Sequence, residues 1–517
     1  MTATLSAAGR QAAYWIAAVC AIPLVCVAAA FPQLQSICLV CLVFPALVAY
    51  SRFRLDGLVV VFLICQSLVH LLKRVIFVFG PQPQAVYYGI QLLPTAVLLV
   101  LCAVVLRRLR GRKLPLSALL LAAFLALAFA TTLGSLTRQS WMVVLSAIHQ
   151  QLLPFLMFYA GLLLTPDKFA RVGRTLGILA GLSVLYGGIQ LAGGPTALDR
   201  AWANQTFSYS IQGGKVFRYV EGASWDFRSY SYYADPLTWG LFLLAGLLGT
   251  LVARDLGRMS RALWAGIVTL VLAGLFLSMT RTVWVGLLAM LGAFALLRCR
   301  AFRRPWLVLC LVVGAFAVTI LAGGYLYQEL FVARRLPIFQ SAILSRYLTV
   351  GTMGSRIGAW STLKDVISAS PVAGQGYGMG LYANLSNEAS GTDRLLSTHN
   401  FLVELVINVG VPGALLFLWF YWQWLREGLG ALRRASNRRQ RRLARWILAF
   451  SVGQIITGYL NGPTFMNSQF FLIMGVLSGL PLEGAAVRVN CQALPAAPSV
   501  RLPALKPVYT VRGSVAG

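Results

Sequence analysis

The run Ala262–Ser278, ALWAGIVTLVLAGLFLS, passes through Met279-Thr280-Arg281 into Thr282–Leu297, TVWVGLLAMLGAFALL. Each run is apolar over nearly the thickness of a bilayer's hydrocarbon core, and the connection is so short that the two must form a helical hairpin with Arg281 at its tip. Similar runs of roughly 16 to 24 residues recur along the whole chain. With 58% hydrophobic and only 11% charged residues, and a mean hydropathy of +0.75, the sequence reads as an all-α, polytopic helical membrane protein. Candidate spans fall near residues 12–30, 36–50, 57–79, 87–106, 116–133, 141–164, 175–192, 235–253, 262–278, 282–297, 306–324, 401–424, 444–460 and 468–482. The second, ninth and fourteenth are short, so about 12–14 transmembrane helices are expected. None of the runs shows the alternation of a lipid-facing strand, which excludes a barrel.

The basic residues sort by side when the chain is threaded with its N-terminus inside. About 30 of the 44 Lys and Arg residues then lie on the cytoplasmic face, the positive-inside pattern. Both termini are expected in the cytoplasm, and the membrane is expected to be a bacterial inner membrane. The formal charge of +30 is spread over short interhelical loops without interleaved aromatics, so nucleic acid is not a partner. The densest cluster, Arg433-Arg434 and Arg438 to Arg442, reads as a topogenic loop touching anionic membrane lipid. The first helix is expected to remain uncleaved, since no small-residue cleavage site follows it. The nine cysteines fall in spans or on the inner side and imply no disulfide framework; Cys38-Leu39-Val40-Cys41 reads as packing inside an apolar helix.

This threading divides the chain into N-terminal helices (1–192), a first periplasmic loop (193–234), helices with the Arg281 hairpin (235–324), a large periplasmic loop (325–400), C-terminal helices (401–482) and a disordered cytoplasmic tail (483–517). No internal repeat is visible, which weakens a transporter built from two related halves.

The chemistry is expected on the outer face. Arg281 either snorkels to headgroups or stands as a fixed cation at the membrane surface. Arg356 follows Ser355, an N-cap residue for a helix near 355–369, beside free backbone N–H groups suited to phosphate. His70, Lys73 and Arg74 share one face of the third span and need a cavity or partners. His149, with Gln150 and Gln151, sits mid-span and reads as a hydrogen-bonded structural group. His399 is the one histidine in an outer loop, next to Asn400 and Glu404, where a neutral imidazole can take a proton from a hydroxyl. Gly374, Gly376, Gly378 and Gly380 alternate without the Lys-Ser/Thr of a P-loop, and signal mobile or closely approaching backbone. No cofactor is implied, and no tight cluster of metal ligands is formed by Glu388, Asp393, His399 and Glu404.

Three ordered segments resemble the signature region of the O-antigen ligase and polymerase superfamily. They are Gly354-Ser355-Arg356-Ile357-Gly358-Ala359-Trp360, Pro371-Val372-Ala373-Gly374-Gln375-Gly376-Tyr377-Gly378, and Thr398-His399-Asn400-Phe401 running into Asn408-Val409-Gly410-Val411-Pro412-Gly413-Ala414. The resemblance covers about residues 215–420. Arg281 is similar to the family's hairpin arginine, although Val285 stands where a leucine is usual, and Arg228 before Tyr233-Ala234-Asp235-Pro236 is a looser counterpart of another. The resemblance implies a GT-C-like, metal-independent, inverting glycosyltransferase with an undecaprenyl-diphosphate-linked oligosaccharide as donor. His399, Arg356 and Arg281 would be catalytic, with Lys73, Arg74, Arg228 and Asn400 binding substrate. A growing surface polysaccharide is the preferred acceptor, as for a polymerase. Alternatives are an O-antigen ligase acting on lipid A core, a protein O-oligosaccharyltransferase, a lipid-linked oligosaccharide flippase, or a subunit working with other polysaccharide-assembly proteins.

Overall fold

The structure is a computed structural model that describes residues 54–78, 84–137, 141–194, 196–199, 229, 231, 233, 236–278, 280–298, 367–368, 370–377, 400–435, 437–461 and 466–492. Among the described residues every regular element is helical: α1 (Leu55–Val78), α2 (Gln84–Leu109), α3 (Leu116–Gly134), α4 (Trp141–Ala147), α5 (Met157–Leu162), α6 (Pro166–Gly193), α7 (Pro236–Asp255), α8 (Arg261–Leu277), α9 (Arg281–Leu296), α10 (Phe401–Arg434), α11 (Arg438–Asn461) and α12 (Ser468–Gln492). Seven of the described helices are long and apolar enough to cross a membrane, and α8, α9 and the Ser468–Leu480 part of α12 are shorter apolar helices. The chain is thus a polytopic helical membrane protein.

Local sequence sets the helix starts. Thr165 caps α6 by accepting from the Lys168 N–H, with Pro166 at the first position; Ser260 accepts from Leu263 at 3.3 Å; Asn437 accepts from Gln440 at 2.7 Å; and Asn467 accepts from Phe470 at 2.9 Å. Each satisfies an N–H that the helix itself leaves open. The apolar run expected as one span over 141–164 is instead broken: α4 passes through a π turn at Ile148–Leu152 and a 3₁₀ turn at Leu153–Leu156 before α5. Pro154 cannot donate within a helix, and the wider turn accommodates the missing bond.

Small residues let the helices approach closely, as in bilayers where burial of apolar surface gives little drive to associate. A Cβ on Gly173 would lie 2.7 Å from the Gly249 carbonyl oxygen, welding α6 to α7, and one on Gly453 would lie 2.4 Å from that of Gly286, welding α11 to α9. Phe155 stacks on Phe471 with ring centroids 4.1 Å apart, and Phe124 meets Phe417 at 5.2 Å, so that an aromatic core joins α3, the broken span, α10 and α12.

The helix ends fall into two sets. One carries Asp56 of α1 bound to Arg171 of α6 at 2.9 Å, Asp167 of α6 near Arg258 at 3.3 Å, Asp255 of α7 bound to Arg442 of α11 at 3.0 Å, and Glu427 of α10 accepting from Ser117 of α3. This is the arginine-rich end of the bundle. The opposite end holds the starts of α7, α9, α10 and α12 and the ends of α1, α3, α6 and α8. Residues 1–480 form one unit; of the second, 481–517, the described part is helix to Gln492, ten residues beyond the expected 482.

Candidate functional site

The site is built on a break in α10. Gly410 adopts φ 70°, ψ 176° inside that helix, and Pro412 follows. A proline at 412 leaves the Asn408 carbonyl without its helical donor, and the Gly410 conformation frees the Ile407 carbonyl and the Val411 N–H. The turn 371–377 takes up all three groups. Gln375 donates to Ile407 at 2.7 Å, Gly376 donates to Asn408 at 2.9 Å, and Val411 donates to Pro371 at 2.8 Å. The other side of the turn rests on α3, where the Tyr377 N–H donates to the Thr132 hydroxyl at 3.1 Å.

Gly374 (φ 71°) and Gly376 (φ 81°) take left-handed backbone that an L side chain rarely adopts. Space forbids a side chain as well: a Cβ on Gly374 would lie 2.5 Å from the Gly410 nitrogen, one on Gly376 2.8 Å from the Thr131 oxygen, and one on Gly410 2.1 Å from the Val372 oxygen. Of the two readings of the alternating glycines, close backbone approach is the one these two positions show. Tyr377 is buried, its hydroxyl has no hydrogen-bond partner among the described residues, and burial, with the Glu404 charge adding, holds its phenol well above the usual range.

Arg281 occupies the first position of α9, after Thr280 in extended backbone, and is half-buried. Thr457 of α11 donates to the Thr282 carbonyl at 3.4 Å, and Val283 fills the space beside Gly240 of α7. Arg281 therefore begins a closely packed seam, on the same end of the bundle as the seated turn. Asn400 is buried, and its side-chain oxygen accepts from the N–H groups of Leu402 at 3.0 Å and Val403 at 3.4 Å. It starts α10; that oxygen is already a helix cap.

Arg74 has the partners its position demanded. It donates to Asp199 at 2.6 Å and to the carbonyls of Ser231 at 3.1 Å and Tyr233 at 3.0 Å. Gln190 of α6 also donates to Asp199, at 3.0 Å, and Thr196 donates to it from backbone and hydroxyl. Arg74 thus ties Asp199, Ser231 and Tyr233 to α1, and Gln190 ties Asp199 to α6. Lys73 is buried, and His149 hydrogen-bonds through Nδ1 to the Thr95 hydroxyl. Sequence reading missed Asp199 and Thr132; the signal for Asp199 was Arg74 itself, since an intramembrane cation requires a counter-charge. Arg356, His399 and Arg228 lie outside the described residues.

Residues 265–418 match the family described as O-antigen ligase. That stretch resembles an O-antigen ligase domain. It runs from α8 through Arg281 and the seated turn to the middle of α10, and takes in Arg356, His399 and Asn400, while Lys73, Arg74 and Arg228 lie before it. The match covers less than a third of the chain. A general O-oligosaccharyltransferase from Acinetobacter baylyi (strain ATCC 33305 / BD413 / ADP1) is 26% identical over 206 residues, which are 38% of this chain and 35% of the relative. The match thus spans about a third of that relative's length.

Proposed function

We propose that this protein is an inner-membrane glycosyltransferase of the O-antigen ligase type. It moves a preassembled glycan from an undecaprenyl diphosphate carrier to an acceptor hydroxyl on the periplasmic side. The observation that carries this reading is Arg281, placed at the start of α9 on the same end of the bundle as the turn seated on α10, both inside the stretch that matches O-antigen ligase. Breaking the bond between the anomeric carbon and the diphosphate oxygen leaves negative charge at the membrane surface. A fixed guanidinium binds that charge through two parallel N–H groups and stabilises it as it develops.

Arg356 is assigned to the same leaving group. His399 accepts the proton of the acceptor hydroxyl as the acceptor oxygen bonds to the anomeric carbon from the opposite face, with inversion. Asn400 acts as a positioning residue by capping α10, and Arg74 by anchoring the first outer loop; Lys73 and Arg228 remain assigned to donor binding. The sequence reading preferred a growing polysaccharide as acceptor. The family's description and the relative's name favour ligase-type transfer of the whole oligosaccharide to a different acceptor.

The test is the surface glycan of a deletion strain, followed by transfer from synthetic carrier-linked glycan by the purified protein with chelator present. Carrier-linked glycan that accumulates undelivered supports the ligase type. Single-repeat products would return the polymerase reading, and loss of activity with chelator would overturn metal independence.

A further inference from the structure

At the arginine-rich end of the bundle, a cavity of about 680 Å³ opens where the ends of α7 and α9 meet the start of α11. Arg298 and Arg281 are separated by the length of α9, about 25 Å at 1.5 Å per residue, so this cavity is distinct from the candidate site and the inference does not rest on the proposed activity. Among the described residues its lining carries five guanidinium groups, those of Arg298, Arg438, Arg441, Arg442 and Arg445, and a single carboxylate, Asp255. Asp255 is already engaged: it accepts from Arg442 at 3.0 Å and from the Trp446 indole at 3.0 Å.

Two of the lining residues are aromatic. Phe294 and Trp446 stack with centroids 3.7 Å apart and planes 15° from parallel, and the Arg298 guanidinium lies 5.2 Å over the Phe294 ring. A lining that joins guanidinium groups to an aromatic pair fits a ligand that is anionic at one end and hydrocarbon at the other. The α9 surface continues the pattern. Leu288 and Leu291 are 65% and 44% exposed, and residues 288, 291 and 295 share one helix face at three- and four-residue spacing, which leads to Arg298 just past the helix end. An acyl chain lying along that face would bring its phosphate to Arg298.

We propose that this cavity binds the phosphates of an acidic phospholipid headgroup, of the class carrying two phosphates on one glycerol bridge. The positive-inside rule accounts for basic residues at the end of α10 and the start of α11. It does not account for their convergence with Arg298, just past α9, on one cavity with an aromatic pair in its lining, and basic cavities between helices on the cytoplasmic side recognise such headgroups.

The experiment is native mass spectrometry of the full chain released from detergent, titrated with diphosphatidylglycerol, phosphatidylglycerol or phosphatidylethanolamine. Two triple variants remove equal charge: Arg298→Gln/Arg438→Gln/Arg441→Gln in the cavity, and Arg433→Gln/Arg434→Gln/Arg439→Gln outside its lining. The cavity variant should retain diphosphatidylglycerol on the order of tenfold less well than the wild type, and the outer variant less than about twofold. Equal losses in both variants, or equal retention of phosphatidylethanolamine by the wild type, would overturn the site. Inorganic phosphate or pyrophosphate that displaces the lipid at equal concentration would overturn its assignment to a lipid. Should the triple variant not fold, Arg298→Gln alone, together with the lipid-induced rise in Tm of the wild type, reads the same difference. No rise in Tm with diphosphatidylglycerol, or no difference between Arg298→Gln and the wild type, would equally count against it.

Discussion

Arg74 of α1 and Asp199 of the first outer loop meet at 2.6 Å, and their side chains are only 1% and 0% exposed. Removing one partner of a buried pair leaves an uncompensated charge, which costs about 3–5 kcal/mol. Arg74→Met should therefore lower the Tm of the purified protein sharply, and the double variant Arg74→Met/Asp199→Leu should recover part of the loss. Lost transfer with an unchanged Tm would instead make Arg74 a substrate ligand.

Gly410→Ala tests the seating of the turn. Left-handed backbone at a non-glycine residue costs roughly 1–3 kcal/mol, and the added Cβ would lie 2.1 Å from the Val372 oxygen. Limited proteolysis should open the chain near residues 371–377 while α7, α9 and α11 stay protected, and glycan transfer should fall with it. Wild-type protection would mean that α10 repacks without the turn.

For Arg281→Lys, the charge stays and the planar fork is lost. Transfer is expected to drop on the order of tenfold or more at constant protein level. The comparison is kcat against KM in detergent, with Tm as the check on folding. Full activity would leave the diphosphate to other groups.

His399→Ala should lower transfer by roughly 10² to 10⁴, the range of a general acid or base. His149→Ala should act differently, because His149 bonds Thr95 inside the broken span. It is expected to reduce stability and to leave turnover per folded molecule nearly unchanged. If the two variants behave alike, His399 has no separate place in the chemistry.

Much of the helical framework was legible because bilayer thickness fixes the length of an apolar run. The span expected at 282–297 is α9 at Arg281–Leu296, and the one expected at 57–79 is α1 at Leu55–Val78. Lengths failed where water resumes: α10 was expected to stop near 424 and continues to Arg434, since Arg, Glu and Leu favour helix outside the bilayer as well. The break at Ile148–Leu156 left a trace in His149-Gln150-Gln151 and Pro154, but the register change depends on how neighbours pack. Within the site, Arg281 was legible from the brevity of its hairpin. The alternating glycines announced a close approach without naming its partner, because the backbone groups they meet at Ile407 and Asn408 carry no signature in side-chain identity.

The seating of residues 371–377 between α3 and α10 also orders biogenesis. The ribosome delivers α3 first, then the turn, and only afterwards the broken helix that supplies Ile407, Asn408 and Val411. Until α10 inserts, the turn has the Thr132 half of its socket and none of the carbonyls that receive Gln375 and Gly376. A nascent chain halted before residue 407 would hold Arg281 in the membrane before the turn is seated, so this end of the bundle is completed late, with insertion of the C-terminal helices.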